Sequence, residues 1–381
     1  MPIDLMVIDF SATLAETLMS DTMSYIDNYC VILAGGVGSR FWPYSRKKYP
    51  KQFIDFFGTG YTLLQHTYQR FKKIVPEQNI IVVTNAAYGA IVKEQLPQLP
   101  EDNLLLEPLS RNTAPSVAWA AYHIFLSNPN ANMVVAPADQ FIMKEDEFRE
   151  AIQHGLDFVS RTDKLLTVGM VANRPETAYG YIQIDEEHED NIYKVKSFTE
   201  KPELNFAKFF VESGEFYWNS GLFLWNVNAI LHAMYTFLPE IGSLLDKVRK
   251  DHFNRENEQK FVEAYFPACP NISIDYGVLE KSDNVYVLTG DFGWSDLGNW
   301  NTFYEMSPKD KNGNVTIGSK TLLYDCHNNV VTTPPDRLVV LKNLDGYVVV
   351  EKDNVLVVCK KDDTEAIRQF VNDVQVRFGD D

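Results

Sequence analysis

Glycines at 35, 36 and 38 follow the apolar run Val31, Ile32 and Leu33, and Arg40, Arg46, Lys47, Lys48 and Lys51 stand close behind them. Glycine lets a backbone turn sharply and aim N–H groups at an anion, while nearby cations offset charge that amides alone do not. The segment therefore reads as a cradle for a polyphosphate. It runs against its background, because the chain as a whole carries a formal net charge of −17, so its field is local. Two better-known phosphate loops are excluded. A Walker loop needs a second glycine where Arg40 stands, followed by Lys-Ser or Lys-Thr, and a dinucleotide fingerprint needs glycine where Phe41 stands. The plainer alternative is a turn joining a strand to the next element.

Two carboxylates add a second kind of chemistry. Asp139 ends the run Met133–Ala138, which reads as a buried strand, and ligands of open α/β sheets bind at the carboxyl ends of such strands. Asp296 lies in Trp294-Ser295-Asp296-Leu297-Gly298. If the two converge they can hold Mg²⁺ and leave most of its octahedral positions to phosphate oxygens and water. For each, the alternative is a helix N-cap. Lys201 is a cation before Pro202, where a solvated lysine at the first turn of a helix is the alternative. Asn112 or Thr113 caps an alanine-rich helix with Pro115 near its start, a reading that needs no ligand.

The elements that must position these residues alternate. Strand-like runs at 29–34, 80–84, 103–106, 132–136 and 165–170 are separated by helix-like stretches at 62–73, 86–96, 115–127 and 145–160. This predicts βα units on a Rossmann-like, mostly parallel sheet. Beyond 180 the rhythm shortens, with strands at 179–185, 192–199 and 221–226 and helices near 202–213, 228–237 and 257–265. A polar, turn-rich stretch at 307–314 marks the end of a catalytic domain spanning 29–305. Residues 306–381 form a small β-rich module with strands at 321–325, 329–333, 337–342, 346–351 and 354–359 and a helix over 363–376. No strict hexapeptide period is present, so a long β-helix is not expected. The module packs on the catalytic domain or joins two copies as a homodimer.

The full string of residues 36–52, GxGSRxWPxSRxxxPKQ, resembles the signature of the sugar nucleotidyltransferases, and in its details the mannose-1-phosphate guanylyltransferases. The resemblance recurs in order at EPLSRNTAP (107–115), PAD (137–139), YGYI (179–182), FTEKP (198–202), WNSGLFLW (218–225), SIDYGVLEK (273–281) and GWSDLGNW (293–300). It implies a GT-A-like fold and GMP transfer from GTP to α-D-mannose 1-phosphate, the sugar phosphate attacking the α-phosphorus directly with Mg²⁺ bound. Catalytic cations would be Arg40, Lys51 and Lys201, and the metal would sit on Asp139 and Asp296. Ala34, Gly35, Gly36, Gly38, Ser39, Glu107, Asn112 and Thr113 would face the nucleotide, and Tyr179, Gly180, Glu200 and Asn219 the hexose. Asn219 and Glu200 could each accept from, or bridge, two vicinal hydroxyls. The departures are Gln140 in place of a frequent His, Phe41 for Leu and Ala178 for Gly. None removes a charge from the expected site. Another base or hexose is the nearest rival, and a catalytically silent nucleotide-sugar sensor is the next. A third rival is a metal-dependent glycosyltransferase with a similar half-sheet; such enzymes normally bind their metal through a D-x-D, and no such pair follows the strand ending at Asp139.

Composition sets the bounds. With 45% hydrophobic and 23% charged residues the chain has the make-up of a soluble enzyme. The acidic balance weighs against nucleic acid or an anionic membrane as partner. Four cysteines without C-x-x-C spacing argue against disulfides or zinc and point to a reducing cytoplasm. Residues 1–28 contain no Lys or Arg and read as a poorly ordered, dispensable extension rather than an export signal. The isomerase domain carried by some relatives is not expected, as the chain ends before it.

Overall fold

The computed structural model describes residues 27–36, 38–250, 257–318 and 320–379. The expected N-terminal extension lies almost wholly outside them. The described chain falls into two compact units that interleave along the sequence. One comprises residues up to Leu33 with Tyr68–Pro137 and Lys144–Phe292, and the other Ala34–Thr67, Ala138–Met143 and Gly293–Asp381.

The first unit is built on a nine-stranded sheet. Its order from edge to edge is Leu104–Glu107, Ile80–Asn85, Asn28–Leu33, Asn132–Pro137, Phe216–Asn226, Leu165–Val171, Val285–Gly290, Ile192–Glu200 and Gly180–Glu189. The first four pair in parallel, as the βα rhythm requires. The expected mostly parallel sheet is nevertheless mixed: Phe216–Asn226 runs antiparallel to both its neighbours, and 192–200 is antiparallel to 180–189. The cause is local. Only Asp190 and Asn191 separate the last two strands, Asp190 takes φ +50°, and so short a connection permits a hairpin but no crossover. The helix Thr113–Ser127 contains no Asp, Glu, Lys or Arg and is buried along most of its length, as expected of a helix apolar on nearly all sides. The helix Pro239–Lys250 and the strand Val285–Gly290 were not evident in the sequence pattern.

The second unit holds the C-terminal module. Here Val315–Ile317, Val330–Thr332 and Tyr347–Lys352 stack in parallel, with Val315 opposite Val330 and Val330 opposite Val348. Lys320–Tyr324 pairs in parallel with Leu338–Lys342. The strands thus form a short parallel coil whose turns, 15 and 18 residues long by this register, are too unequal to give a fixed sequence period. A hairpin at Asp353 and Asn354, both at positive φ, adds the antiparallel strand Val355–Lys360, followed by the helix Thr364–Phe378. The core of this unit joins Phe41, Trp42, Phe56, Leu297, Trp300 and Phe303 to Val315, Val330, Val348 and Ile367. The glycine loop therefore belongs to the same packed body as the C-terminal coil.

Candidate functional site

In the second unit, Gln52 anchors the glycine loop. Its Nε2 donates to Ala34 O at 2.8 Å and Gly36 O at 2.9 Å, and the side chain is almost wholly buried. Gly38 sits at φ +64°, where a Cβ would lie 2.8 Å from Lys51 Cγ, so conformation and space both demand glycine. Lys51 follows Pro50 at the start of a short 3-10 turn. Its Nζ donates to Asp296 O at 2.8 Å and Leu297 O at 3.0 Å and pairs with Asp139 Oδ2 at 3.1 Å. Three acceptors match the three ammonium protons. The lysine expected on phosphates is thus also the strut that gathers three distant segments. Leu297 is held at φ +44°, an uncommon conformation for a bulky residue and one concentrated at functional loops.

Neither aspartate is a helix cap. Asp139 lies between the strand Asn132–Pro137 and the two-residue strand Phe141–Ile142, while the helix after Asp296 is capped by Asn299. Asp296 Oδ1 accepts from Gly298 N at 2.9 Å, and a Cβ on Gly298 would lie 2.8 Å from Asp296 Oδ2. Both side chains offer hard carboxylate oxygens, the kind of donor Mg²⁺ takes, and no group of three or more His, Cys, Asp or Glu that could hold a metal ion gathers among the described residues. Arg40 is half-buried in the turn Ser39–Phe41, and its guanidinium has no partner among the described residues. Arg46, grouped with the cradle by sequence, instead reaches the C-terminal hairpin: its Nη2 donates to Lys352 O at 3.3 Å, and its Nε lies 3.7 Å from Asp353.

The first unit carries the residues expected at the hexose and its phosphate. The register sets Gly180 opposite Glu200 on adjacent strands, and a side chain at 180 would collide with Glu200 Oε2. Glu200 Oε1 pairs with Lys201 Nζ. Lys201 sits at φ +46°, its N–H donates to Tyr179 O, and its side chain is 58% exposed. The helix after it begins only at Leu204, so the helical first-turn reading of Lys201 does not hold. Asn219 Nδ2 donates to Asp275 Oδ1 at 2.7 Å, and its Oδ1 accepts from Gly221 N at 3.2 Å. With the oxygen accepting from Gly221 N and also from Thr167 Oγ1 at 3.2 Å, Asn219 offers a ligand an N–H rather than the acceptor expected from sequence. Asp275 was missed, although its motif was in view, because its partner Asn219 lies 56 residues away in the sequence. Burial, with the Glu200 charge beside it, pushes its carboxyl above the usual range.

The third group surrounds Glu107. This side chain is 5% exposed and accepts from Ser116 Oγ, and burial raises its carboxyl to about 7. Asn112 takes φ +64° and caps the helix through Thr113 N at 2.9 Å. Thr113 Oγ1 accepts from Ile274 N at 2.9 Å, which ties this helix to the turn carrying Asp275.

A family model described as nucleotidyl transferase matches residues 29–313. The chain is 34% identical over 352 residues to mannose-1-phosphate guanylyltransferase 2 of Escherichia coli O157:H7, covering 90% of this chain and 72% of that protein. It is 36% identical over 340 residues to mannose-1-phosphate guanylyltransferase of Escherichia coli K12, covering 86% and 70%. Among solved structures, the crystal structure described as mannose-1-phosphate geranyltransferase from Thermus thermophilus superposes with a TM-score of 0.83 at 28% identity, covering 92% of this chain and all of that one.

Proposed function

The chain belongs to the nucleotidyl transferase family, among the mannose-1-phosphate guanylyltransferases, and from that premise we propose that it transfers GMP from GTP to α-D-mannose 1-phosphate, giving GDP-mannose and pyrophosphate. The observation that carries the reading is Lys51 Nζ, which brings Asp139 together with the main chain of Asp296 and Leu297. A phosphate oxygen of the sugar forms the new bond to the α-phosphorus as the bond to the bridging oxygen breaks. Pyrophosphate leaves with that electron pair. The attacking phosphate is already ionised near neutral pH, so no protein nucleophile or strong base is needed. The chain's task is to hold two anions together and neutralise charge.

Asp139 and Asp296 would hold Mg²⁺, which when bound supplies positive charge to the phosphate oxygens. Arg40, with its guanidinium fork unspent, serves the triphosphate, and Lys51 adds fixed charge at the loop. Lys201 serves the sugar phosphate. Tyr179, Gly180, Glu200 and Asn219 read the hexose. Guanine presents N1–H and N2–H donors on one edge, and the Glu107 carboxylate is the matching acceptor. Asn112 and Thr113 are assigned to the nucleotide with it, and the main chain from Ala34 to Ser39 is assigned to the nucleotide on its own account. We assign these roles to residues 29–305, with 306–381 as their support. No helix among the described residues is long and apolar enough to cross a membrane, and the four cysteines are unpaired, in keeping with work in a reducing cytoplasm. Pairing of two copies through the C-terminal coil belongs to the same proposal. Leu322 and Val340 lie side by side in register and are 49% and 57% exposed. Sedimentation tests this, and a monomer removes it.

The deciding experiment measures pyrophosphate release across nucleoside triphosphates and hexose 1-phosphates, with Mg²⁺ and with chelator. GTP with mannose 1-phosphate and Mg²⁺ should be the best combination. Equal turnover with dTTP or ATP, or with the metal removed, overturns the assignment.

A further inference from the structure

The amide of Asn219 has a fixed orientation. Gly221 N can only donate, so the group it meets at 3.2 Å must be the amide oxygen. Thr167 Oγ1 also reaches that oxygen at 3.2 Å, sharing its proton with Leu222 O. At the other end Nδ2 has two protons, and Asp275 Oδ1 takes one at 2.7 Å. The second proton is therefore the only hydrogen-bonding capacity that Asn219 has left for a ligand.

Asp275 is itself firmly placed. It lies in the turn Ile274–Gly277, capped by Ser273 Oγ accepting from Tyr276 N. Ile274 N donates to Thr113 Oγ1, and Ala114 N donates to Ile272 O at 3.1 Å. Thr167 and the strand carrying Asn219 hold the amide from below, and Asp275 holds it from a separate element. Removing the carboxylate leaves the amide held at its oxygen end alone, with both protons of Nδ2 uncommitted, so that neither is reserved for a ligand.

We infer that Asp275 is a specificity-setting positioning residue: by taking one Asn219 proton it leaves the other as a directed donor to a hydroxyl of the hexose phosphate. This rests on the proposed function and adds to it a residue that acts through Asn219. A sugar epimer whose hydroxyl does not meet that donor loses a hydrogen bond and leaves the donor unpaired. Sites built on such a bond discriminate strongly between substrates.

The test is a double-mutant cycle read by steady-state kinetics with mannose 1-phosphate and its 2-epimer, glucose 1-phosphate. Asp275→Ala should raise KM for mannose 1-phosphate by about 10- to 100-fold, the range of one directed hydrogen bond and its unpaired partner. The KM for GTP and kcat should move by less than about 3-fold on the same reasoning. The preference for mannose over glucose should shrink with it. Asp275→Asn keeps an acceptor oxygen and should recover most of the loss. In an Asn219→Ala background, Asp275→Ala should add less than about 2-fold, as coupled residues do. Additive losses, an unchanged sugar preference, or equal damage to GTP would overturn the inference. Should Asp275→Ala fail to fold, Thr167→Val in the same cycle loosens the amide from its other end and must narrow the preference in the same direction. If the unmodified enzyme prefers another hexose phosphate, the proposed function falls, and the same cycle on that substrate still decides the role of Asp275.

Discussion

Lys51 and Lys201 look alike in sequence, each a lysine beside a proline in a motif read as phosphate-binding, yet their surroundings differ. The Lys51 side chain is 10% exposed and has three protein acceptors, whereas Lys201 is 58% exposed and has Glu200 alone among the described residues. The first region invests its cation in architecture, fixing Asp139 and the strained loop at Leu297 before any ligand arrives. The second leaves its cation projecting from a strand end on an unusual backbone conformation. The cation at the loop is fixed by the fold, and the one proposed for the sugar phosphate is an exposed side chain.

The largest effect expected from this contrast is at the carboxylates. Asp139→Asn or Asp296→Asn should lower kcat by about 1,000-fold or more at saturating Mg²⁺, in line with removal of a ligand to a charge-neutralising ion. Thermal unfolding should stay close to that of the parent. Near-normal turnover in either variant removes the metal assignment and leaves Lys51 as structural only.

Replacing the two lysines tests the comparison itself. Lys51→Met leaves two carbonyls and Asp139 without their partner and should cost about 2 kcal/mol of stability along with activity, because one member of a largely buried cluster is gone. Lys201→Met should leave the melting temperature unchanged, as a mostly exposed ion pair contributes little, while raising KM for mannose 1-phosphate by about 100-fold. Calorimetry beside kinetics separates the two. A matched loss of stability in both variants would erase the distinction.

Glu107 sharpens it from the side of the base. Its carboxyl is raised from 4.5 to about 7 by burial, so the folded state binds the proton more tightly than the unfolded one. The resulting stabilisation is complete below about pH 4.5 and is lost as pH rises through 7. By the usual 1.4 kcal/mol per unit it amounts to about 3 kcal/mol. Glu107→Gln should therefore flatten the fall in melting temperature between pH 5 and 8 and stabilise the protein at pH 8. It should also raise KM for GTP by about 10-fold, since one of two acceptors becomes a donor. A better-folded enzyme that binds GTP less well is the signature of a buried charge kept for recognition, and a variant unchanged in both respects rules that role out.

How much of this was legible in sequence follows from the range of the forces involved. Strands such as 80–85 and 132–137 and the helix Glu145–Ser160 declare themselves through local apolar patterning, and their bounds agree with expectation to within about two residues. The mixed sheet was not legible, because insertion of 216–226 between 132–137 and 165–171 is a long-range pairing that no window of sequence contains. The same reason hides Asp275, whose meaning arises 56 residues from Asn219. Gln52 stood in the signature, but nothing in its type says that it ties down the loop's carbonyls. The stacked C-terminal coil escaped because its turns differ in length while the alternation within each strand is ordinary.

The smallest expected effect probes the packed body in which the loop sits. Tyr44 OH and Thr332 Oγ1 are 2.7 Å apart, joining the signature segment to the middle strand of the coil, and Thr332 is 2% exposed. Burial raises the Tyr44 hydroxyl above its ordinary pKa, so the group is a neutral phenol across the working range. Tyr44→Phe keeps the ring against Phe56 and Trp300 but leaves the threonine hydroxyl without that partner, a loss of about 1 kcal/mol. In a chain of this length that lowers the melting temperature by only about 2 °C. The informative number is kcat. If the coil merely adds stability, kcat is unchanged. If it sets the position of the loop, kcat falls by more than the stability loss accounts for, and Thr332→Val produces the same fall from the other side of the bond. Phe41, Trp42 and Trp300 share one apolar cluster with Val315, Val330 and Val348, which favours the second outcome, since the residues that follow Arg40 belong to the same core as the coil.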